Sequence, residues 1–536
     1  MGTGQGLTAP RRGLFLNPGG PLFAARPGPL SAAHRHENRQ LRAEIARLKE
    51  LPPRPTIRSS TLNEPHPDPS HKKRRRGKRP GSAKRQKTPA LCIHETIPLP
   101  LEGLPEGTQQ NGYEDFVVQD LKVEAHNVCY RRLRYLLPDG SSRTAPLPAH
   151  VQGHFGPGLR SHVLYQHHQN QVTQPLIHEE LRDLGIDIST GQIDRLLTEG
   201  HDQFHAEKDA LLPAAREASR YFQADDTSAR HLGKNAYTTV IANPFFASFT
   251  TTESKSRVNF LKLLRVPHEE YVWGDDALMY AEYQGLSAAL LARLAAAARK
   301  GSRIISGDKA WQRQLTAWGI RGDEPRRIVT EAALFGTLMH HELYLGQPLM
   351  SDDAGQFKIL GLLHALCWLH AERSLKKLLP MNPREQEAVD RVRGAVWKYY
   401  QRLRAYRESP TARCKAALQR DFERLFRWRT GFVDLNEALR RIHEKRDDLL
   451  LVLERPELPL HNNLSESDIR EWAKKRKISA GTRSELGRRC RDTFISLKKT
   501  CRKLGVSFWQ YLQDRIRGVH DILSLPDLVR QAAQET

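Results

Sequence analysis

Residues Tyr221 to Asn243 read YFQADDTSARHLGKNAYTTVIAN, and this stretch constrains the fold more than any other. Tyr221 to Thr227 alternates as a β-strand, a polar turn follows over Arg230 to Asn235, and Ala236 to Ala242 reads as a second strand. Pro244 breaks the run, and Phe245 to Thr251 reads as a third strand. Three short strands joined by tight turns make an antiparallel meander. Its first strand carries Asp225 and Asp226 where a buried sheet would take Val or Ile. A carboxylate there costs on the order of several kcal/mol unless something positive neutralises it. A divalent metal ion answers that need; the plainer alternative is that the two aspartates only open the turn.

Two later stretches repeat the pattern. Gln347 to Phe357, QPLMSDDAGQF, is a short apolar run that ends in Ser-Asp-Asp and a small-residue turn. His461 to Arg470, HNNLSESDIR, opens a helix with Asn462 or Asn463 as N-cap and Glu466 in the first turn or two. Two acidic strand ends and one acidic helix start suit two-metal phosphoryl transfer, in which ions about 3.5–4 Å apart take hard oxygen ligands. Arg303 to Asp308, RIISGD, also reads as a strand ending in an acid. Asp308 is therefore a rival for the second position, as Asp226 and Asp353 are for their neighbours.

Composition narrows the partner. The 536 residues carry a net charge of +23 and a pI near 9.9, well beyond what solubility requires, which points to a polyanion and first to nucleic acid. No run of about 18 apolar residues is present, so no membrane span is expected. The N-terminus lacks a secretory pattern. Six cysteines without CxxC pairs indicate reduced thiols in a cytoplasmic protein.

Taken in order, residues 1–34 are Gly-, Pro- and Ala-rich and read as disordered. Residues 35–51 form a short coiled-coil-like helix, with Leu41, Ile45 and Leu48 at helical spacing. Residues 52–90 are a disordered Pro-rich and basic linker. Within it His71 to Lys87 holds ten Lys or Arg and no acid, and Lys72, Lys73, Arg74, Arg75 and Arg76 are its densest run, suited to phosphate. Residues 91–155 read as a small β-rich module, with Phe116 to Val123 and Val128 to Leu137 paired and the Asp139-Gly140 turn closing them. Residues 156–215 are helical. A helix over Val172 to Gly185, a tight turn, and a second helix capped by Ser189 or Thr190 make a helix-turn-helix pattern. Thr190, Gln192 and Arg195 are the polar candidates on its second helix for contact with double-stranded DNA. Residues 216–515 form the acidic-strand domain, interrupted at about 253–347 and 371–460. Ser484 to Gly505 adds a helix with Cys490, Phe494, Leu497, Cys501 and Leu504 on one packing face. Residues 516–536 are a C-terminal tail.

At three motifs the chain resembles a known family. DDTSARHLGKNAYT, SDDAGQF with HALCWLHAER, and NNLSESDIR with KKRKISAGTRSE together resemble the insertion-sequence-66 family of bacterial transposases. More broadly, they are similar to DDE recombinases built on a ribonuclease-H-like fold. The likeness runs over roughly residues 160 to 515. It implies an α/β fold: a ribonuclease-H-like mixed sheet with large helical insertions, preceded by the helix-turn-helix region, the β-rich module and the disordered basic arm. It also implies metal-dependent cleavage and transfer of insertion-sequence DNA ends, with two Mg²⁺ or Mn²⁺ held by three carboxylates.

Carried onto this chain, the carboxylates are Asp225, two before Thr227, then Asp352, with Asp353 in the Asn place of an Asp-Asn-Gly turn, and Glu466. Arg470, one helical turn on, would reach DNA phosphate, and Lys474, Lys475, Arg476 and Lys477 would clamp phosphates nearby; as an alternative, that run is a solvated helix face. Cys367 and His370 resemble a Cys-x-x-His signature after the second acidic strand, read here as packing or positioning beside the site. Many relatives carry a CxxC-type zinc module before the helix-turn-helix, whereas this region holds only Cys92 and Cys129. The resemblance further implies a homo-oligomer on paired DNA ends, accessory proteins as further candidates, and a place at the bacterial nucleoid. The rival expectations are a metal-dependent nuclease on the same fold and a sequence-specific DNA-binding regulator without chemistry.

Overall fold

The computed structural model describes residues 92–99, 116–148, 151, 153–298, 303–344 and 346–534. The expectations for residues 1–34, 35–51 and 52–90, with Lys72, Lys73, Arg74, Arg75 and Arg76, lie outside the described residues. Residues 92–99 are exposed and carry no regular secondary structure.

The β-rich module is smaller than expected. Phe116 to Val123 is exposed throughout and pairs with no strand among the described residues, because alternating apolar residues make a strand only where a ladder partner and a covered face exist. Instead β1 (Arg134–Leu136) pairs antiparallel with β2 (Ser142–Thr144). Between them, Asp139 accepts from the Ser141 N–H at 2.9 Å and Gly140 takes a φ of 77°. Four helices follow: Pro157–His168, Gln174–Asp183, Thr190–Thr198 and Asp202–Ala218. The third is capped by Ser189, whose hydroxyl accepts from the Gln192 N–H at 3.2 Å. Gly185, with a φ of 78°, lies just past the end of the second.

The meander comprises β3 (Phe222–His231), β4 (Lys234–Ala242) and β5 (Ala247–Thr252). Its first turn is tighter than the polar composition suggests. His231 still pairs with Lys234, and only Leu232 and Gly233 turn the chain, both with positive φ (49° and 74°), as in the type I′ turns that match strand twist.

Two large segments interrupt the sheet. The first holds the helices Arg257–Leu264, Asp275–Tyr283, Ala288–Ala298, Asp308–Ala317 and Asp323–His340, with a separate two-stranded antiparallel sheet of β6 (Glu270–Trp273) and β7 (Arg303–Ser306). After it, β8 (Leu349–Ser351) and β9 (His364–Leu366) extend the main sheet on the other side of β3. The order is β5-β4-β3-β8-β9, with the first three antiparallel and β8 and β9 parallel to β3. The second interruption is helical, from Trp368–Lys376 through Arg446–Leu450. It has an apolar core of its own, in which Trp368, Val392, Phe422 and Leu439 are buried with Met350 of β8.

The edge strand β5 is sealed by a helix. Its N–H groups at Ala247, Phe249 and Thr251 donate to Thr500, Ser496 and Asp492 on Glu485–Lys503. Four helical residues advance about 6 Å and two strand residues about 6.7 Å, so side chains four apart keep step with alternate amides. Between these layers lie Val240 and Phe249 of the sheet, Ile495 of that helix, and Ile469 and Trp472 of the helix Asn463–Ser479. The C-terminal tail is ordered as well: Leu525–Gln534 is a helix with Leu525 and Val529 fully buried.

Candidate active site

Strand register brings two of the carboxylates together. Phe222 pairs with Leu349 and Gln223 with Met350; continuing the alignment two residues sets Asp352, just past the end of β8, beside Asp225. Opposite residues of a parallel pair share a face, so these two acids share one. Each belongs to a doublet whose other member is taken up elsewhere. Asp226 is paired with Lys255 and accepts from Gln356. Asp353 is paired with Lys358 at 2.6 Å and with Lys445. The remaining rival, Asp308, sits in the first insertion and is bound by Lys262 and the Tyr271 hydroxyl.

Glu466 lies near the start of Asn463–Ser479, a helix that runs against β3 and β4. Asn462 is the N-cap residue, although its side chain makes no capping bond. Two acids further along anchor the helix. Asp468 pairs with Lys499 (3.3 Å) and Lys503 (2.7 Å), and Glu471 with Lys499 (2.6 Å) and Lys498. These lysines are on Glu485–Lys503, the helix that seals β5. Glu466 itself is buried and faces Arg470 at 3.1 Å, Arg373 at 3.6 Å and His370 Nδ1 at 3.8 Å.

Burial and neighbouring charge both act on Asp225. The Asp225 carboxyl is pushed up from 3.8 to about 7, first by burial and further by the charges of Asp352, Asp226 and Glu466, against the Asp226 N–H that it accepts at 2.8 Å. Glu466 Oε1, His370 Nδ1 and both polar atoms of the Asn462 side chain are buried without a hydrogen-bond partner. A group of hard oxygens that repel one another, bordered by unsatisfied polar atoms, fits divalent cations. Cys367, His370 and Glu466 each bring one ligand atom within 4.8 Å of the others. Burial pushes the Cys367 thiol up and the His370 imidazole down, favouring the neutral form of each.

The basic run after Glu466 divides. Lys474 and Lys477 are exposed, and Arg476 is half-buried, donating to Ser228 on β3. Lys475 is internal. Its amine donates to the His167 carbonyl at 2.9 Å, and burial first, then Arg491 and Lys498, lowers its pKa to about 7. It does not face solvent, which corrects the expectation of a phosphate contact there. In the helical region Thr190 and Arg195 are exposed, while Gln192 is half-buried and accepts from Arg195 at 3.3 Å. Sequence reasoning does not single out Arg373, Lys255, Lys358 or Lys445. Only Arg373 carries a signal: it follows His370 by three residues and so shares its helical face.

The fold and this site define a class: a mixed α/β protein in which strand register sets Asp352 beside Asp225 and the helix that bears Glu466 packs against β3. The sequence pattern of the transposase IS66 family matches residues 330–489, a span that includes Asp352, Cys367, His370 and Glu466 and begins downstream of Asp225. A protein of Sinorhizobium fredii (strain NBRC 101917 / NGR234), described as uncharacterized protein y4jO, is 42% identical over 308 residues. The alignment covers 57% of this chain and 94% of that relative. This chain belongs to the transposase IS66 family. No helix among the described residues is long and apolar enough to cross a membrane.

Proposed function

We propose that this protein is a DDE-type DNA transposase that cleaves insertion-sequence ends and joins them to target DNA. Its catalytic domain is then ribonuclease-H-like. That reading is supported by the sheet order, an antiparallel meander whose first strand is followed on its free side by two parallel strands, and by the flanking helices. The observation that carries the proposal is the convergence on Asp225, which has Asp352 beside it by strand register and feels the charges of both Asp352 and Glu466. In this reading Asp225, Asp352 and Glu466 hold two divalent ions, Mg²⁺ or Mn²⁺. When bound, these supply an activated water or 3′-hydroxyl and stabilise the leaving oxygen in an in-line displacement at phosphorus.

The chain's own side chains have separable tasks. Asp225 and Asp352 offer oxygens from adjacent strands, and Glu466 closes the set from the helix. His370, 3.8 Å from Glu466, is a positioning residue that limits the carboxylate's rotation, with Cys367 one helical turn before it. Arg373 and Arg470, now paired with Glu466, are free to turn to a DNA phosphate once that charge is drawn to cations. Lys474, Arg476 and Lys477 lie further along the same helix as phosphate contacts, and Thr190, Gln192 and Arg195 form the base-reading edge of a helix-turn-helix. Two DNA ends must be held together for transposition, so a homo-oligomer is part of the proposal, with accessory proteins as further candidates.

The test is direct. Asp225→Asn, Asp352→Asn and Glu466→Gln should each abolish strand cleavage while end binding survives. Near wild-type nicking in Mg²⁺ by any one of them refutes that position. Pre-cleaved ends and a target plasmid then separate the readings: joined product marks a transposase, cleavage without joining a nuclease on the same fold. A wild-type chain that binds ends but never cuts them in Mg²⁺ or Mn²⁺ would be a regulator.

A further inference from the structure

A second group of ligand-type side chains lies in the first insertion, away from the carboxylates. His268, Glu270 and His341 each bring one ligand atom within 4.8 Å of the others. They come from separate places: the loop before β6, the first residue of β6, and the residue that follows the helix Asp323–His340. His268 Nδ1 is 3.5 Å from Glu270 Oε1, and His341 Nε2 hydrogen-bonds to the same oxygen. The carboxylate is held in place. Its other oxygen accepts from the Glu269 N–H at 3.0 Å, and the Glu270 carbonyl accepts from Arg265 (2.6 Å) and Thr337 (2.9 Å). All three side chains are partly exposed, so solvent reaches them.

From this convergence we propose that His268, Glu270 and His341 form a binding site for a first-row transition-metal ion, zinc by its ligand chemistry, with water as the fourth ligand. Two imidazoles and one carboxylate suit Zn²⁺, whereas Mg²⁺ and Ca²⁺ take oxygen alone. The two imidazoles stack, with centroids 3.6 Å apart and planes 13° from parallel. Stacked rings cannot aim both in-plane lone pairs at one ion, so binding turns one of them. His268, on a loop and the more exposed of the pair, is the one that moves. A bound ion would tie β6 to the end of Asp323–His340, just before the chain returns through β8 to Asp352. The site shares no residue with the carboxylate cluster and does not depend on its assignment.

The experiment uses the full-length chain without a polyhistidine tag, stripped with a chelator and titrated with zinc chloride by calorimetry, with the thermal midpoint followed alongside. With millimolar Mg²⁺ present to fill the carboxylate site, one equivalent of zinc should bind, and it should persist in His370→Ala. Disturbing an outer-shell partner costs about 10–100-fold in metal affinity, so loss of a ligand in His268→Ala, Glu270→Gln or His341→Ala should cost more than about 100-fold. Zinc should raise the midpoint of the wild type and leave those variants unmoved. Glu270→Gln preserves side-chain shape and carries the test if an alanine variant does not fold. No zinc uptake by the wild type, uptake unchanged in the folded variants, or loss in His370→Ala instead would overturn the proposal.

Discussion

Asp225→Asn should stabilise the metal-free protein at neutral pH while ending its chemistry. The Asp225 carboxyl sits at about 7 against an ordinary 3.8. A group raised in the folded state favours folding fully below pH 3.8, and that contribution is lost as pH rises through 7, because the folded chain binds the extra proton. The full difference, 7 − 3.8, corresponds to about 4 kcal/mol at about 1.36 kcal/mol per unit. By the same linkage the wild type has lost about 2 kcal/mol at pH 5 and about 4 kcal/mol at pH 8. Asparagine mimics the protonated acid and keeps an oxygen for the Asp226 N–H, which Asp225 now accepts at 2.8 Å. Urea unfolding in chelator, with wild type and variant compared at pH 5 and pH 8, should therefore show a gain that grows with pH. Added Mg²⁺ should restore the wild type and do little for the variant. A variant no more stable than wild type at pH 8, or one with the same gain at both pH values, would refute the reasoning.

The basic run gives a sharper contrast than charge alone would suggest. Lys474→Ala and Lys477→Ala should each weaken DNA binding about evenly across sequences and reduce the salt slope by about 1, whereas Lys475→Met should leave the slope unchanged; fluorescence anisotropy over a salt series reads both. Glu471 bears on stability with the opposite sign to Asp225. Burial alone would raise its carboxyl, but Lys498 and Lys499 hold it down at about 2 from 4.5, so its contribution is present above pH 4.5 and lost as pH falls through 2. Glu471→Gln, which leaves Lys498 and Lys499 without this buried partner, should cost about 3 kcal/mol at pH 7. A variant with wild-type urea resistance at that pH would show that the lysine pairs do not anchor the Glu466 helix.

Much of the sheet is legible in the sequence because alternation over residues 221 to 251 leaves few other folds. The first turn is harder to place, because a bulky leucine at positive φ, Leu232, hides a two-residue turn inside what reads as a polar loop. Phe116 to Val123 has strand-like alternation, but no local pattern reveals whether a partner strand exists. The choice within each aspartate doublet is not readable from spacing. It depends on the register between β3 and β8 and on Lys255, Lys358 and Lys445, which only the folded chain brings to Asp226 and Asp353. Lys475 escapes a sequence reading for a geometric reason: a helix turns about 100° per residue, so four consecutive basic residues cannot all face solvent on a helix that packs against a sheet. Glu466 is reachable through its helix start and the family resemblance together. Of its neighbours on Trp368–Lys376, His370 is visible as part of a Cys-x-x-His motif read as packing or positioning beside the site, and Arg373 only by its helical spacing from it.

The helix that seals β5 has a consequence for how this gene product is made. The meander emerges from the ribosome more than two hundred residues before Asp492, Ser496 and Thr500 exist to occupy its outer amides. During that interval the nascent chain carries an open strand margin, the feature by which immature sheets stick to one another. A reading frame shortened by decay upstream of residue 485 would keep that margin for good, so defective copies should accumulate as inclusion bodies and not as idle competitors for DNA ends.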